Sequence, residues 1–186
     1  DKTCRLWNYA NQQPLRNLDG HGGPVRALSF QNDAARIITG CEDKIARLFD
    51  VNNGMLIKAY PEQAGPITAV AIHPNNQEVA VADTSGAIKI WKANEGTEVR
   101  TLAGHPGGTF AIAYATNQQH LVSGGADKKV RVWNVADGAI ARRITNVAER
   151  VYDIAARGLP GRYSHWRFGR DYERMRLDHI QGRSRI

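Results

Sequence analysis

A repeat of 42 residues constrains this chain more than any other feature of its sequence. Large aromatic side chains recur at this interval, and so does a glycine a few residues further on: Trp7, Phe49, Trp91 and Trp133, then Gly54, Gly96 and Gly138. Self-similarity at a fixed period of this length indicates one structural unit that is stacked several times. The fold therefore has to be sought in the repeating unit.

Each unit contains four short segments with strand character. In one unit they are "ITAVAI" (67–72), "EVAVAD" (78–83), "AIKIWKA" (87–93) and "EVRTLA" (98–103). Each is apolar or alternating and is bounded by turn residues, as expected for a half-buried strand. The recurring glycine allows the positive φ of a tight hairpin turn between the third and fourth strands. Four strands in each repeat predict one blade of a β-propeller.

With these features established, the sequence resembles the WD-repeat β-propeller family. The dipeptide "GH" occurs at 20–21 and 104–105, and "ADKKVRVWN" (126–134) and "DKTCRLWN" (1–8) are similar to the segment that closes such a repeat. The resemblance covers residues 1–156. It departs from the family pattern at Phe49, Gln63 and Ser85, where Trp, His and Asp are expected.

The repeat predicts an all-β chain, an open partial propeller of four-stranded antiparallel blades. The expected divisions are the last two strands of a blade (1–18), three complete blades (19–60, 61–102 and 103–146), the first strand of a further blade (147–156, with "VYDIAA" at 151–156) and a non-repeat tail (157–186). Because closed propellers have about four to eight blades, we expect a piece of a longer protein whose ring is completed by further blades of the parent chain.

Charge is concentrated in the tail. Of the net charge of +7, residues 150–186 contribute nine arginines against four acidic residues, whereas residues 1–149 hold 16 basic and 14 acidic residues. The stretch "RYSHWRFGRDYERMR" (162–176) mixes arginines with aromatic residues, a combination that can stack on bases and neutralise phosphates. One interpretation is therefore a nucleic-acid-binding tail, and another is a short amphipathic helix around 170–177.

A third interpretation of the tail, which we favour, is a slip of the coding frame between Ala156 and Tyr163. The period places "YSHWRFG" (163–169) opposite "IITGCED" (37–43). Shifting the implied frame by one nucleotide turns the Trp166 codon into a glycine codon, at the place of Gly40. The shifted codons of Tyr163 and His165 encode Ile or Thr, at the places of Ile37 and Thr39. The repeat reappears in register, which predicts that the tail is not a site.

The resemblance also implies a buried hydrogen-bonded network in each blade, built from His, Ser or Thr, Asp and Trp. The matching residues are His21, Thr39 and Asp43, and His105, Ser123, Asp127 and Trp133. His105, Ser123 and Asp127 could also be interpreted as a nucleophilic triad. Since equivalent residues occur in the preceding GH-containing repeat, and buried polar groups need partners, we expect a structural network and no catalytic residue.

The sequence gives no positive support for an enzyme. It contains no glycine-rich phosphate loop, and Cys4 and Cys41 form no CxxC pair, so we expect neither a cofactor nor a metal. No apolar run reaches the roughly 20 residues that span a bilayer, and a cytoplasmic location is the expectation. We expect a protein or peptide partner, no specific nucleic acid and no membrane. The alternative is an accessory domain of a larger enzyme or signalling protein.

In the family that the chain resembles, ligands usually meet the face formed by the loops entering the first strand and joining the second strand to the third. The candidate partner-binding residues on this face are Arg26, Glu42, Thr68, Thr84, Arg150 and Tyr152. In the blade 103–146 the equivalent exposed positions are expected at Thr109 and Ala111. Arg26 and Tyr152 stand out because Arg and Tyr are enriched among interface hot spots, whereas Glu42 is expected to pair with Arg26.

Overall fold

The computed structural model describes residues 2–145 and 147–154, together with the backbone of 157–158, 164–166 and 175–176. These described residues form strands and no helix, and so none of them forms a helix with the length and hydropathy to cross a bilayer. The first fourteen strands, β1 to β14, are Cys4–Trp7, Pro14–Leu18, Val25–Phe30, Arg36–Cys41, Ala46–Asp50, Leu56–Ala59, Ile67–Ile72, Glu78–Asp83, Ile88–Lys92, Glu98–Leu102, Thr109–Tyr114, His120–Gly125, Val130–Asn134 and Ile140–Ile144.

These strands form one small sheet and three full blades. Strands β1 and β2 pair as a two-stranded antiparallel sheet. The first full blade contains β3 to β6, the second β7 to β10 and the third β11 to β14, each a four-stranded sheet in chain order. All pairings within them are antiparallel. The all-β, four-stranded blade predicted from the repeat is confirmed, and the blades that the structure describes do not close into a ring.

The backbone repeats with the same period as the sequence. The turns between third and fourth strands place Gly54, Gly96 and Gly138 at φ of 75°, 72° and 75°. Gln12, which lies 42 residues before Gly54, has a φ of 56° in the turn between β1 and β2. A side chain makes this left-handed conformation unfavourable. Gln12 therefore adopts the same turn as the glycines but with a conformational strain that they do not have.

Consecutive sheets stack through separate apolar clusters. The cluster between the first and second blades includes Ile38, Leu48, Ile67 and Val70, and others join β1–β2 to the first blade and the second blade to the third. Burying one such side chain contributes about 1.5–3 kcal/mol relative to leaving it exposed. The first strands β3, β7 and β11 lie side by side, so the blades are arranged around a common concave face.

A cleft of about 510 Å³ follows this concave face. Its lining includes Leu28, Val70, Ile112 and Ile154, which are spaced by 42 residues. Val70, Ile112 and Ile154 are 6 %, 8 % and 7 % exposed, whereas Leu28 is 55 % exposed. Val70 packs where a side chain at Gly40 would otherwise lie, on the second strand of the preceding blade. Leu28 has no such neighbour, because the preceding sheet contains two strands.

The structure differs from the prediction of a further first strand at residues 151–154. The described residues Val151–Ile154 are not assigned to a strand, although Val151 and Ile154 are buried. In the full blades a first strand pairs only with the second strand of its own blade, and no such partner is present for 151–154 among the described residues. Residues 155–156 lie outside the described part of the chain.

Three short strands occur in the predicted non-repeat tail. Strands β15 (Arg157–Gly158), β16 (Ser164–Trp166) and β17 (Met175–Arg176) form an antiparallel sheet in chain order. The helix considered around 170–177 is therefore wrong at residues 175 and 176, and its other residues lie outside the described part of the chain. The remaining tail residues also lie outside it, and the nucleic-acid and frame-slip interpretations stay predictions.

The two cysteines are free and buried in different sheets. Cys4 lies in β1, in the two-stranded sheet, and Cys41 lies at the end of β4 in the first full blade. The Cys41 thiol donates to the carbonyl oxygen of Gly23 at 3.1 Å. Burial raises the pKa of the Cys4 thiol.

Candidate interaction rim and the buried networks

The third blade contains a complete polar network around Ser123. Nε2 of His105 lies 2.8 Å from the Ser123 hydroxyl, which also accepts a hydrogen bond from the indole N–H of Trp133 at 2.8 Å. Nδ1 of His105 lies 2.7 Å from a carboxylate oxygen of Asp127, and Arg131 donates to the other oxygen at 2.7 Å. The four predicted network residues are thus brought together, and Arg131 joins them.

One proton arrangement pairs His105 with both Asp127 and Ser123, while the contact between Arg131 and Nδ1 of His105 is then not a hydrogen bond. Because Asp127 is a carboxylate acceptor, His105 donates from Nδ1, and its Nε2 then accepts the hydroxyl proton of Ser123. Burial lowers the pKa of His105, with the charge of Arg131 acting in the same direction and Asp127 opposing them. The imidazole is therefore neutral at neutral pH.

The atoms of Ser123, His105 and Asp127 follow the order of a nucleophilic triad, but their surroundings do not fit catalysis. Ser123 is 0 % exposed and His105 is 1 % exposed. A nucleophile must reach the reacting carbonyl of its substrate, and the Ser123 hydroxyl is covered by the blade and occupied by Trp133. The same bonds instead hold β12, β13, the turn between them and the entry loop of β11 together.

The first blade carries a shorter version of this network. Nε2 of His21 lies 2.8 Å from the Thr39 hydroxyl, but the residue in the place of Trp133 is Phe49, which has no N–H to donate. Nδ1 of His21 has no hydrogen-bond partner, since Asp43 accepts instead from the backbone N–H of Gly22 at 2.7 Å. The histidine and the aspartate are therefore not joined here.

Asp43 is fixed by an arginine in the same way as Asp127. Arg47 lies 2.8 Å from one Asp43 oxygen, in an ion pair whose side chains are 10 % and 14 % exposed. Burial opposes ionisation of the Asp43 carboxyl. The hydrogen bonds from Arg47, Gly22 and Ile45 outweigh it and lower the pKa of Asp43 to about 2.

The second blade lacks the network. Gln63, Val81 and Ser85 occupy the places of histidine, serine and aspartate, and the buried indole N–H of Trp91 has no hydrogen-bond partner. Trp91 packs instead beside the ring of Tyr60, with ring centroids 6.3 Å apart. The Tyr60 hydroxyl donates to the carbonyl oxygen of Ala93 at 2.7 Å, so the first blade clasps the second.

A residue that the sequence analysis missed replaces the absent aspartate. Asp83, two positions before Ser85, is buried and accepts hydrogen bonds from the backbone N–H groups of Gly65 at 3.2 Å and of Ser85 at 2.9 Å. It therefore ties the entry loop to the turn, as Asp43 does in the first blade. Its position, aligned with Cys41 and Gly125, is not polar in the neighbouring repeats, so the period gave no signal.

The rim at the ends of the first strands is built by β-bulges. The strand register shifts between Val25 and Ala27, between Ile67 and Ala69, and between Thr109 and Ala111. The extra residue of each bulge is one period from the next: Arg26, Thr68 and Phe110. Because a bulge leaves its residue outside the regular pairing and re-aims the side chain, these side chains differ freely while the strands beneath them repeat.

The prediction for the third blade was therefore wrong by one residue. Thr109 and Ala111 are 0 % and 5 % exposed, and the Thr109 hydroxyl donates to the carbonyl oxygen of Gly86 at 2.7 Å. The rim residue is Phe110, which is half-buried. Counting 42 residues on from Thr68 identifies it, whereas taking Phe110 as the inward-facing first residue of "FAIAYA" places the exposed positions one residue to either side.

The other predicted rim residues differ in their exposure and in the hydrogen bonds that they form. Arg26 is exposed and forms a hydrogen-bonded ion pair with Glu42, with its Nε 2.6 Å from the carboxylate. The Thr68 hydroxyl donates to the carbonyl oxygens of Ala82 and Thr109, so it serves the blade interface. Thr84 is exposed. Within the described residues, no group of three or more His, Cys, Asp and Glu side chains is placed to hold a metal ion.

Arg150 and Tyr152 are both exposed near the third blade. The Tyr152 ring stacks on Phe110, with ring centroids 5.2 Å apart and an interplanar angle of 18°. The structure thus brings Tyr152 together with the rim residue of the third blade. Arg26 and Glu42 lie in the first blade, and Thr68 and Thr84 lie in the second.

Four-stranded antiparallel sheets that stack in a row, with their first strands side by side and without closing into a ring in the described part of the chain, define an open β-propeller. The chain belongs to the WD-repeat family, since the family model described as "WD domain, G-beta repeat" matches residues 12–50, 54–92 and 96–134. Such repeats typically form interaction scaffolds.

Two curated relatives are similar to a single repeat of this chain. Coronin-7 of Pongo abelii is 42 % identical over 42 residues, which are 23 % of this chain and 4 % of that protein. Coronin-7 of Mus musculus is 40 % identical over 43 residues, which are 23 % of this chain and 5 % of that protein. The matched part of the chain thus spans about one-twentieth of the length of these relatives.

Proposed function

We propose that this chain is a non-catalytic scaffold that presents its bulged rim to a protein or peptide partner. The observation that carries the proposal is the bulge at the start of β3, β7 and β11, which aims Arg26, Thr68 and Phe110 from one repeating frame. A rigid frame with variable side chains at one edge is suited to recognition. The buried state of Ser123 and His105 supports a role without chemistry.

The exposed side of β3 supports the further proposal that additional blades of a parent chain complete the ring. Leu28 and Phe30 are 55 % and 46 % exposed on the concave side of the first blade. Their equivalents in later blades are buried at Val70, Ile112 and Tyr114 and half-buried at Ile72. A propeller leaves few such faces uncovered, since each repeat buries its surface on its neighbours. The divisions 19–60, 61–102 and 103–146 are proposed as the blade units of that longer chain.

The rim proposal is tested by capturing partners with the wild-type chain and with an Arg26→Ala/Tyr152→Ala variant. Exposed Arg and Tyr side chains at interfaces often contribute about 2 kcal/mol or more, and we expect the double variant to lose most of its captured partner. The matched control is Glu95→Ala/Gln119→Ala, which alters two exposed residues in turns at the opposite ends of the strands.

Equal capture by both folded variants would refute the rim as the partner surface. The alternative of an accessory domain is tested by reading the parent gene on either side of this segment. A catalytic domain in the same frame would favour it over a free-standing scaffold, and the rim experiment would keep its meaning in either case.

A further inference from the structure

Three segments of the chain converge beside the third blade. The carbonyl oxygen of Gly125 accepts the backbone N–H of Val151 at 3.2 Å and that of Lys128 at 3.4 Å. The carbonyl oxygen of Gly108 accepts the N–H of Ala126 at 3.0 Å. The entry loop of β11, the turn between β12 and β13, and residues 150–152 therefore share one end of the rim.

This end carries cations that lack partners. Lys128, Lys129 and Arg150 are exposed, and among the described residues no carboxylate lies within ion-pair distance of them. The equivalent of Lys128 in the first blade is Lys44, and both residues adopt a positive φ in the same turn. Lys44 lies 3.4 Å from Glu62.

The first blade has a second ion pair at the equivalent end of the rim, in addition to that between Lys44 and Glu62. Arg26 pairs with Glu42, so Arg26 and Lys44 each have an acidic neighbour of their own. Glu42 corresponds to Ala126 in the third blade, which removes the acid there. The cations beside the third blade therefore have no ion-pair partner among the described residues, whereas those of the first blade have one each.

An aromatic platform lies beside these cations. The Phe110 ring packs over Gly108, where an added Cβ would be 2.9 Å from the ring, and the exposed Tyr152 ring stacks on it. Tyr152 is 61 % exposed, so its ring offers apolar surface to a binding partner. We name Phe110, Tyr152, Lys128, Lys129 and Arg150 the basic aromatic corner.

We propose that the basic aromatic corner binds an acidic peptide segment anchored by an aromatic or large aliphatic side chain. The inference rests on the rim function proposed above and names the chemistry of its partner. Unpaired cations attract carboxylates and steer their approach, while the Tyr152 ring takes the apolar anchor. The chain's own residues 157–186 contain eight arginines and three acidic residues, so their charge has the same sign as these cations and they are not the occupant that we propose.

A nucleic acid fits the corner less well than an acidic peptide. Exposed Glu149 and Asp153 flank Arg150 and Tyr152, so a continuous phosphate backbone would meet like charge on both sides. A peptide can place a few carboxylates on the cations and leave neutral residues opposite the two acids. Nucleic-acid binding is therefore treated as an opposing outcome of the test.

The test is a selection of random displayed peptides on the whole chain, followed by fluorescence anisotropy with a selected peptide. We expect enrichment in Asp and Glu together with Phe, Tyr, Trp or Leu. Lys128→Glu/Arg150→Glu should weaken the selected peptide by at least about tenfold, and added salt should weaken wild-type binding. Arg142→Glu/Arg143→Glu makes the same change of charge on the outer strand of the same blade, where both residues are exposed, and should change binding by less than about twofold.

Two results would overturn the inference. One is a selected set without acidic enrichment, or one whose binding is weakened equally by both charge-reversed variants. The other is single-stranded DNA that binds at the corner more tightly than the selected peptide. If selected peptides depend on Tyr152 but not on Lys128 and Arg150, the rim function stands and its acidic preference fails. If they ignore Tyr152→Ala and Arg26→Ala as well, the rim function also fails.

Discussion

The second and third blades share strand order, register and turn geometry, yet their interiors are held by different forces. In the third, Ser123 joins His105 to Trp133 through buried hydrogen bonds. In the second, Val81 stands at that place, and the Trp91 indole is held by packing against Tyr60. The period and the apolar pattern are therefore sufficient to form a blade, and the polar network is a separate contribution that each blade has or lacks.

The largest effect is expected from giving the third blade the residue of the second, with Ser123→Val. The change leaves the Trp133 N–H and the His105 Nε2 buried without partners. Each unsatisfied group costs about 1–3 kcal/mol, so we expect the free energy of unfolding to fall by about 2–4 kcal/mol in urea denaturation. A loss below about 0.5 kcal/mol, within the range of an ordinary surface change, would show that the network adds nothing to packing.

An intermediate effect is expected from pH. Burial lowers the pKa of His105 and His21 below 6.5, so the unfolded chain binds protons that the folded blades exclude. Stability is therefore full above pH 6.5 and decreases as the pH falls, by up to about 1.4 kcal/mol per pH unit for each histidine. The second blade has Gln63 and contributes no such term.

The pH prediction is checked by measuring stability between pH 7.5 and 5 for the wild type and for His105→Gln. The variant copies the second blade, and its slope should be shallower by the contribution of one histidine, whatever its absolute stability. An unchanged slope would contradict the prediction. The Asp43 carboxylate titrates separately, because its stabilisation is complete above 3.8 and is lost as the pH falls towards about 2.

The smallest effect is expected from the reciprocal exchange, Val81→Thr. The new hydroxyl would offer the Trp91 N–H an acceptor, as Ser123 offers one to Trp133 in the third blade, but burying a hydroxyl offsets much of the gain. We expect the free energy of unfolding to stay within about 1 kcal/mol of the wild type. A loss as large as that of Ser123→Val would mean that the second blade tolerates no polar group there, and that the two interiors are not exchangeable.

The strands and the two histidine-containing sites could be predicted from the sequence because both repeat. A period of 42 places His21 with Thr39, and His105 with Ser123, at equal spacing, and the structure finds each pair 2.8 Å apart. What repeats along a chain is visible without coordinates. The fold class followed from the same regularity.

The misses occurred where one blade departs from the others. Asp83 serves its turn from a position that holds Cys41 and Gly125 in the neighbouring blades, so the period predicted a plain strand residue. Phe110 was passed over because apolarity suggested an inward side chain, whereas the bulge at the start of β11 turns it outward. A bulge is a property of strand pairing, and a single strand sequence does not reveal it.

The two buried thiols lie in different sheets, so the rate at which each one reacts reports the opening of its own sheet. A thiol reagent can modify Cys4 only when the two-stranded β1–β2 sheet opens, and Cys41 only when the first full blade does. The modification rates of Cys4 and Cys41 therefore measure the local opening of two different sheets in one sample. The opening of the two-stranded sheet and that of the first full blade can thus be compared in the same experiment, through the same thiol reaction.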